Sequence, residues 1–286
     1  MTLEEFNHLP KEEAAAQLAT CCGSAKWQTE LMKSFPFTDE QALLNKAVSD
    51  WYACSEADRL EAFTHHPKIG DIESLTEKFA STQHLAGKEQ AGVNEASLAV
   101  IQELALANAE YEKKFGFIFI VCATGKSAHE MLRLLKDRLQ NTRAEELYIA
   151  MGEQAKISFL RLKRMIDGDW SKIKGSQLTT HVLDTSLGKP GENITIRLKI
   201  KNNNIWESFA QGVTNSDGRV SELLPAGKDL APGNYMIVFE TGHYFEAQKI
   251  KGFYPEVEIQ FTVFDDAHYH VPLLINPFGY STYRGS

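Results

Sequence analysis

Three short stretches in the second half of the chain bring chemically useful side chains together. LTTHVLDT carries His181, TNSDGR carries Arg219, and HYHVPLL carries His268 and His270 ahead of YRGS, Tyr283–Ser286. A neutral imidazole is a suitable base near pH 7. A guanidinium stays charged, grips planar anions through a fork of donors, and favours the neutral form of a nearby histidine. Each piece alone is weak evidence of function. A strand histidine is more often a packed or rim residue, and an arginine just after a turn is more often a solvated charge. The three histidines also admit a zinc site, because HxH on a strand puts both rings on one face. No cysteine and no carboxylate at ligand spacing completes such a site.

The first half holds a second constellation: HHPKIGD (His65–Asp71), GKEQAG (Gly87–Gly92), EKKFGFIFIVCATGKS (Glu112–Ser127) and SFLRLKR (Ser158–Arg164). Pro67 disfavours the α conformation at His66, which places that residue where a helix from about Ser55 gives way to a loop. On this basis alone, a helix-end histidine balancing the dipole is an equally good reading. The GKS at Gly125–Ser127 is not a phosphate-binding loop, because the glycine required five residues earlier is Ile120.

The elements that must position these groups change character near residue 166. Before it the pattern is helical. Thr38–Gln41, Ser127–Glu130 and Thr142–Glu145 match capping boxes, and Pro10 suits the first turn of the run that follows it. A long helix from about Asn94 closes at Gly116, and a last one runs from about Thr142 to Ile166. Beyond DGDWSKIKGSQ, alternation takes over at Ile194, Ile196, Leu198 and Ile200 and again at Val257, Ile259, Phe261 and Val263. Turns rich in glycine and proline separate these strands. The reading is an all-α domain over 1–166, a linker over 167–176 and an all-β sandwich over 177–286.

Composition narrows the partners. With 43% hydrophobic and 24% charged residues in 286, the chain is that of a globular protein large enough for two domains. A net charge of −8 without a basic stripe argues against nucleic acid. No apolar run is long enough to span a bilayer, and MTLEEFNHLPKEE lacks the basic and apolar regions of a signal peptide. Cys21, Cys22, Cys54 and Cys122 show no CxxC spacing and are expected to be buried, idle thiols of a reducing compartment, so the expected location is the cytoplasm.

The order LTTHVLDT, DGR, HYHVPLL, YRGS resembles the 5-hydroxyisourate hydrolases, enzymatic relatives of transthyretin, across about 177–286. The resemblance implies a transthyretin-like sandwich and a homotetramer with active sites in the channel between subunits. By motif it implies His181, Arg219, His270 and Ser286 as catalytic, with His268 and Tyr283 contacting substrate. Ring opening needs a deprotonated water, a stabilised oxyanion and a protonated leaving nitrogen, and this set of side chains suits those tasks. A hormone-carrier role would not need so polar a set.

Roughly residues 5–166 resemble 2-oxo-4-hydroxy-4-carboxy-5-ureidoimidazoline (OHCU) decarboxylase, which acts next on the same pathway. The resemblance rests on CCGS, FPF, HPKIG, EQAG, FGFIF and the final arginine-bearing helix. It implies an all-α fold with no cofactor, His66 and Glu89 as the catalytic pair, Gln90 beside them and Arg161 anchoring substrate. It also implies a pocket lined by the backbone of Phe115, Gly116, Phe117, Ile118 and Phe119. Ala86 stands where the family usually carries serine, so one substrate hydroxyl contact is missing. Together the two halves imply a bifunctional enzyme of urate breakdown acting on small molecules and assembled through the sandwich, with dimer contacts through the helical domain open. The alternatives are a monofunctional hydrolase with an inactive helical domain, or a small-molecule binding protein on a transthyretin scaffold.

Overall fold

The computed structural model describes residues 1–66, 90–124, 126–170, 173, 175–220 and 223–285; over 90–98 it describes the main chain alone. Its first half is helical, with α1 Leu3–Asn7, α2 Lys11–Cys21, α3 Ala25–Met32, α4 Glu40–Ala53, α5 Glu56–Thr64, α6 Gln90–Phe115, α7 Ala128–Arg138 and α8 Arg143–Met165. Local signals set several ends. Ser55, Ser127 and Thr142 each close a capping box with the acid three residues on. The expected box at Thr38–Gln41 does not form. Asp39 caps α4 instead, its carboxylate accepting from the Ala42 N–H at 2.7 Å, because a charged acceptor one residue later outcompetes the hydroxyl. Pro10 likewise sits at the N-cap rather than inside α2. Helix α6 ends at Gly116, φ +78°, whose N–H bonds the Glu112 carbonyl.

Aromatic rings fill the centre of this unit. Tyr111 packs edge-on against Phe115, Phe117 and Phe119. Beside them Arg138 and Glu146 form a fully buried ion pair at 2.5 Å, and the same carboxylate accepts from the Tyr111 hydroxyl. Arg138 also donates to the Ile120 carbonyl at 2.8 Å. Burial alone would lower the guanidinium pKa, but Glu146 outweighs it and raises it. All four cysteines are buried and unpaired. Burial pushes the Cys21 thiol up to about 11 and that of Cys22 to about 12, and it raises Cys54 and Cys122 as well.

The chain then crosses to the sandwich. Trp170 stays with the helices, its ring edge-on to Phe159 and its indole N–H on the Ile166 carbonyl. The strands are β1 Leu178–Asp184, β2 Lys189–Pro190, β3 Thr195–Asn202, β4 Ile205–Val213, β5 Arg219–Val220, β6 Gly233–Phe239, β7 Val257–Val263, β8 Tyr269–His270, β9 Leu273–Asn276 and β10 Gly279–Thr282; α9, Thr241–Ala247, follows β6. One sheet runs β4-β3-β6-β7, all antiparallel; the other runs β10-β9-β1-β2, with β5 and β8 also paired to β1. Ile194, Ile196, Leu198 and Val257 are buried between the sheets, as their alternation requires, whereas Ile200 and Phe261 pack at the margin.

The two halves pack through α8 and β4. Tyr148 lies on Phe209 at 5.0 Å between ring centroids, and the Ser208 N–H donates to Glu145. From α7, Arg133 donates to the Asn193 carbonyl at 2.5 Å and Asp137 accepts from Thr195 at 3.1 Å. Among the described residues no helix is long and apolar enough to cross a membrane.

Candidate active sites

In the sandwich, strand β1 collects the polar residues. His181 is paired in register with Arg219 of β5, and Thr179, on the same face two residues earlier, is paired with His270 of β8. The Thr179 hydroxyl lies 2.9 Å from His270 Nδ1 and 3.0 Å from His268 Nε2. One hydroxyl can donate to one ring and accept from the other, so it holds both imidazoles at once. Arg219 is exposed, but its main chain is fixed: Asn215 Oδ1 accepts from both the Asp217 and Arg219 N–H groups at 3.0 Å.

Burial and a nearby charge favour the neutral forms of His181 and His270. Burial, then the Arg219 charge, lowers His181; burial, then Arg219, His268 and His181, lowers His270. Gly285 closes over this end. Its N–H bonds the His270 carbonyl at 2.9 Å, and a Cβ there would meet His270 Cδ2 at 2.4 Å, so only glycine allows the approach. Tyr283 is exposed, and Ser286 lies outside the described residues. A cavity of about 440 Å³ opens beside Thr179, Arg219 and His268. Among the described residues no three His, Cys, Asp or Glu side chains gather as a metal-binding group.

In the helical half, His66 follows α5, half-buried, and faces a cavity of about 370 Å³ shared with Phe119, Arg161 and Arg164. Its Nε2 lies 2.5 Å from Oε1 of Gln154, which is fully buried, and the Gln154 amide nitrogen bonds Ser158 Oγ at 3.0 Å. With the amide so oriented, His66 donates from Nε2 and keeps an Nδ1 lone pair for the cavity. Burial lowers the His66 pKa, Gln154 opposes that shift, and Arg161 and His65 add to it. Arg161 reaches across to the Thr20 and Cys21 carbonyls at 3.3 Å, which ties the end of α2 to this site.

Of the expected lining, Phe119 reaches the cavity, while Phe115 and Phe117 are committed to the aromatic core and Gly116 is exposed. Ile118 is half-buried. The wall continues instead through Ile120–Thr124. Glu89 and Ala86 lie outside the described residues, as does the Gln90 side chain. Two contributors were not foreseen from the sequence. Gln154 is one: with Ser158 and the expected Arg161 it follows at i, i+4 and i+7, a polar stripe on an otherwise packed helix face that could have been noticed. Thr179, one alternation before His181, is the other.

Comparison with known proteins now decides the family. The OHCU decarboxylase family model matches residues 7–163, and that of the HIUase/transthyretin family matches 178–285. The uric acid degradation bifunctional protein TTL of Arabidopsis thaliana is 33% identical over 93% of this chain and 96% of its own. The chain belongs to the family of bifunctional uric acid degradation proteins. Its sandwich half is also 44% identical to the 5-hydroxyisourate hydrolase of Salmonella typhimurium, over 38% of this chain and 80% of that one. The solved structure of an (S)-allantoin synthase aligns over the whole of both chains at 26% identity and a TM-score of 0.45. In this family member the half matched by the decarboxylase model brings His66 and Arg161 to one cavity, and the half matched by the HIUase/transthyretin model sets His181 opposite Arg219 and Thr179 opposite His270.

Proposed function

We propose that the chain opens 5-hydroxyisourate by hydrolysis in its sandwich and decarboxylates the product, OHCU, to (S)-allantoin in its helical half. The decarboxylase domain takes 1–166 and the hydrolase domain 177–286, joined by 167–176. The observation that carries this reading is the register pairing of His181 with Arg219 beside that of Thr179 with His270, which gathers imidazoles and a guanidinium along strand β1. Full-length similarity to a bifunctional relative supports the second activity.

In the hydrolase site, His181 and His270 orient and deprotonate water, and Arg219 holds the anionic planar substrate and the charge that develops on its oxygen. His268 and Tyr283 contact substrate and Ser286 completes the site. In the decarboxylase site, Arg161 grips the anionic end of OHCU while His66 manages the proton at the carbon losing CO₂. Glu89, with Gln90, bonds the ring or ureido nitrogens. Carbon dioxide departs from a carbon flanked by an electron-withdrawing imine, so its electron pair delocalises into the ring until a proton replaces it.

The hydrolase domain assembles as a tetramer, and the working location is the cytoplasm. Support for assembly comes from the outer strand β10 and the residues flanking it, where Phe278, Tyr280 and Tyr283 are exposed and Tyr280 packs edge-on against Tyr254.

The test generates 5-hydroxyisourate in place from urate and follows ultraviolet absorbance and circular dichroism together. Rapid loss of both intermediates with an optically active product is expected. Fast loss of the first alone, followed by slow racemic decay, would leave only the hydrolase.

A further inference from the structure

A third cavity, of about 380 Å³, lies where the helical half meets the sandwich. It adjoins both catalytic cavities. Val121, Cys122, Thr124 and Leu160 line it together with the His66 cavity, while Arg219 and Val220 line it together with the cavity beside Thr179 and His268. The three therefore follow one another, from the hydrolase site across β5 to the junction and over the 121–124 segment to the decarboxylase site.

The lining of the junction favours anions. Its cations are Lys126, Arg138, Lys156 and Arg219, against the carboxylates Glu130 and Glu153. Arg138 is committed to Glu146, and Lys156 to Glu153 at 2.6 Å. Lys126 Nζ donates to the Cys122 carbonyl at 2.7 Å and stands near enough to Glu153 to feel its charge, but among the described residues neither it nor Arg219 closes an ion pair. Gln211 of β4 is buried against the cavity with an amide Nε2 that has no hydrogen-bond partner among the described residues. A buried donor left unpaired is costly and calls for an acceptor.

We propose that this cavity is a transfer site, in which Lys126 and Gln211 receive the carboxylate of the hydrolysis product from Arg219 and hold it on its way to Arg161. The inference rests on the bifunctional reading and adds to it a route inside one chain. The hydrolysis product carries the carboxyl group that the second step removes. Retaining that anion along Arg219, Lys126 and Arg161 raises its local concentration at the second site above that of free solution.

The experiment uses the full-length protein and compares two preparations with 5-hydroxyisourate made in place. One is the intact enzyme. The other is an equal mixture of His270→Ala and His66→Asn chains, matched to it in each separate activity, so that the intermediate must cross solution. The intact enzyme should show a lag before (S)-allantoin at least about threefold shorter than the mixture, and less racemic product. Lys126→Glu should lengthen that lag to the mixture's value while each separate activity stays within about twofold. Lys126→Arg should keep the short lag. Equal lags for the intact enzyme and the mixture would overturn the proposal, and so would an unchanged lag in Lys126→Glu. Loss of either separate activity in the intact enzyme would instead overturn the bifunctional reading itself.

Discussion

His66 Nε2 and Gln154 Oε1 stand 2.5 Å apart, joining the end of α5 to the buried middle of α8 behind the His66 cavity. Gln154 is a positioning residue: it selects the imidazole tautomer and fixes the ring plane. Gln154→Leu should therefore lower decarboxylase turnover by about fivefold, the rate equivalent of one lost hydrogen bond of about 1 kcal/mol. Hydrolase turnover should not change. Gln154→Glu should move the decarboxylase pH profile upward, since a carboxylate favours the imidazolium. A profile that stays in place in Gln154→Glu would remove the tautomer role.

The hydrolase should lose activity on the acid side, and the sign follows from the shifts. Both His181 and His270 are held below the ordinary histidine value of 6.5. Neutral rings are thus present at pH 7, and the base is lost only as pH falls through the lowered values. Arg219→Ala removes a cation that depresses both. Its acid limb should move upward toward 6.5, in addition to a fall in kcat/KM. Rate profiles between about pH 5 and 8 measure this, and an acid limb that stays put would show that Arg219 acts on substrate alone.

Thr179→Val keeps the β-branched shape and removes the hydroxyl shared by His268 and His270. The expected result is a hydrolase slower by roughly tenfold with an unchanged thermal midpoint, because the hydroxyl is half-exposed and its loss leaves no buried orphan. Differential scanning calorimetry beside turnover measurements separates the two. A midpoint that falls in step with activity would mark Thr179 as structural.

Glu146→Gln should destabilise the helical half by about 3–5 kcal/mol, because it strands the buried Arg138 charge. Glu103→Gln, which breaks the exposed pair with Lys136, should cost less than about 1 kcal/mol. Urea unfolding of the two variants checks the contrast, and similar losses would contradict it.

The halves and the sandwich motifs could be read in the sequence because hydrophobic period is a local property. The switch from 3.6 to 2 near residue 166 reports helices before it and strands after it. His181, Arg219 and His270 were equally legible, since the strands that carry them begin or end at their motifs. Gln154 was not. An amide in a long helix reads as a solvated residue until α5 is docked over it, and that docking brings together residues 88 apart. The Thr38 cap failed for a local reason, two adjacent acceptors competing for one turn. The junction between α8 and β4 depends on Tyr148 meeting Phe209, a pairing that neither segment announces.

The burial of all four thiols has a practical side. With Cys21 at about 11 and Cys22 at about 12, and Cys54 and Cys122 also raised, the native fold holds almost no thiolate at neutral pH. A maleimide dye would find the wild-type surface nearly silent. Two cysteines placed at exposed positions, one at Glu103 on α6 and one at Lys201 on β3, would then carry donor and acceptor with little background. The protein offers itself as its own ruler for how its two enzymes sit while an intermediate passes between them.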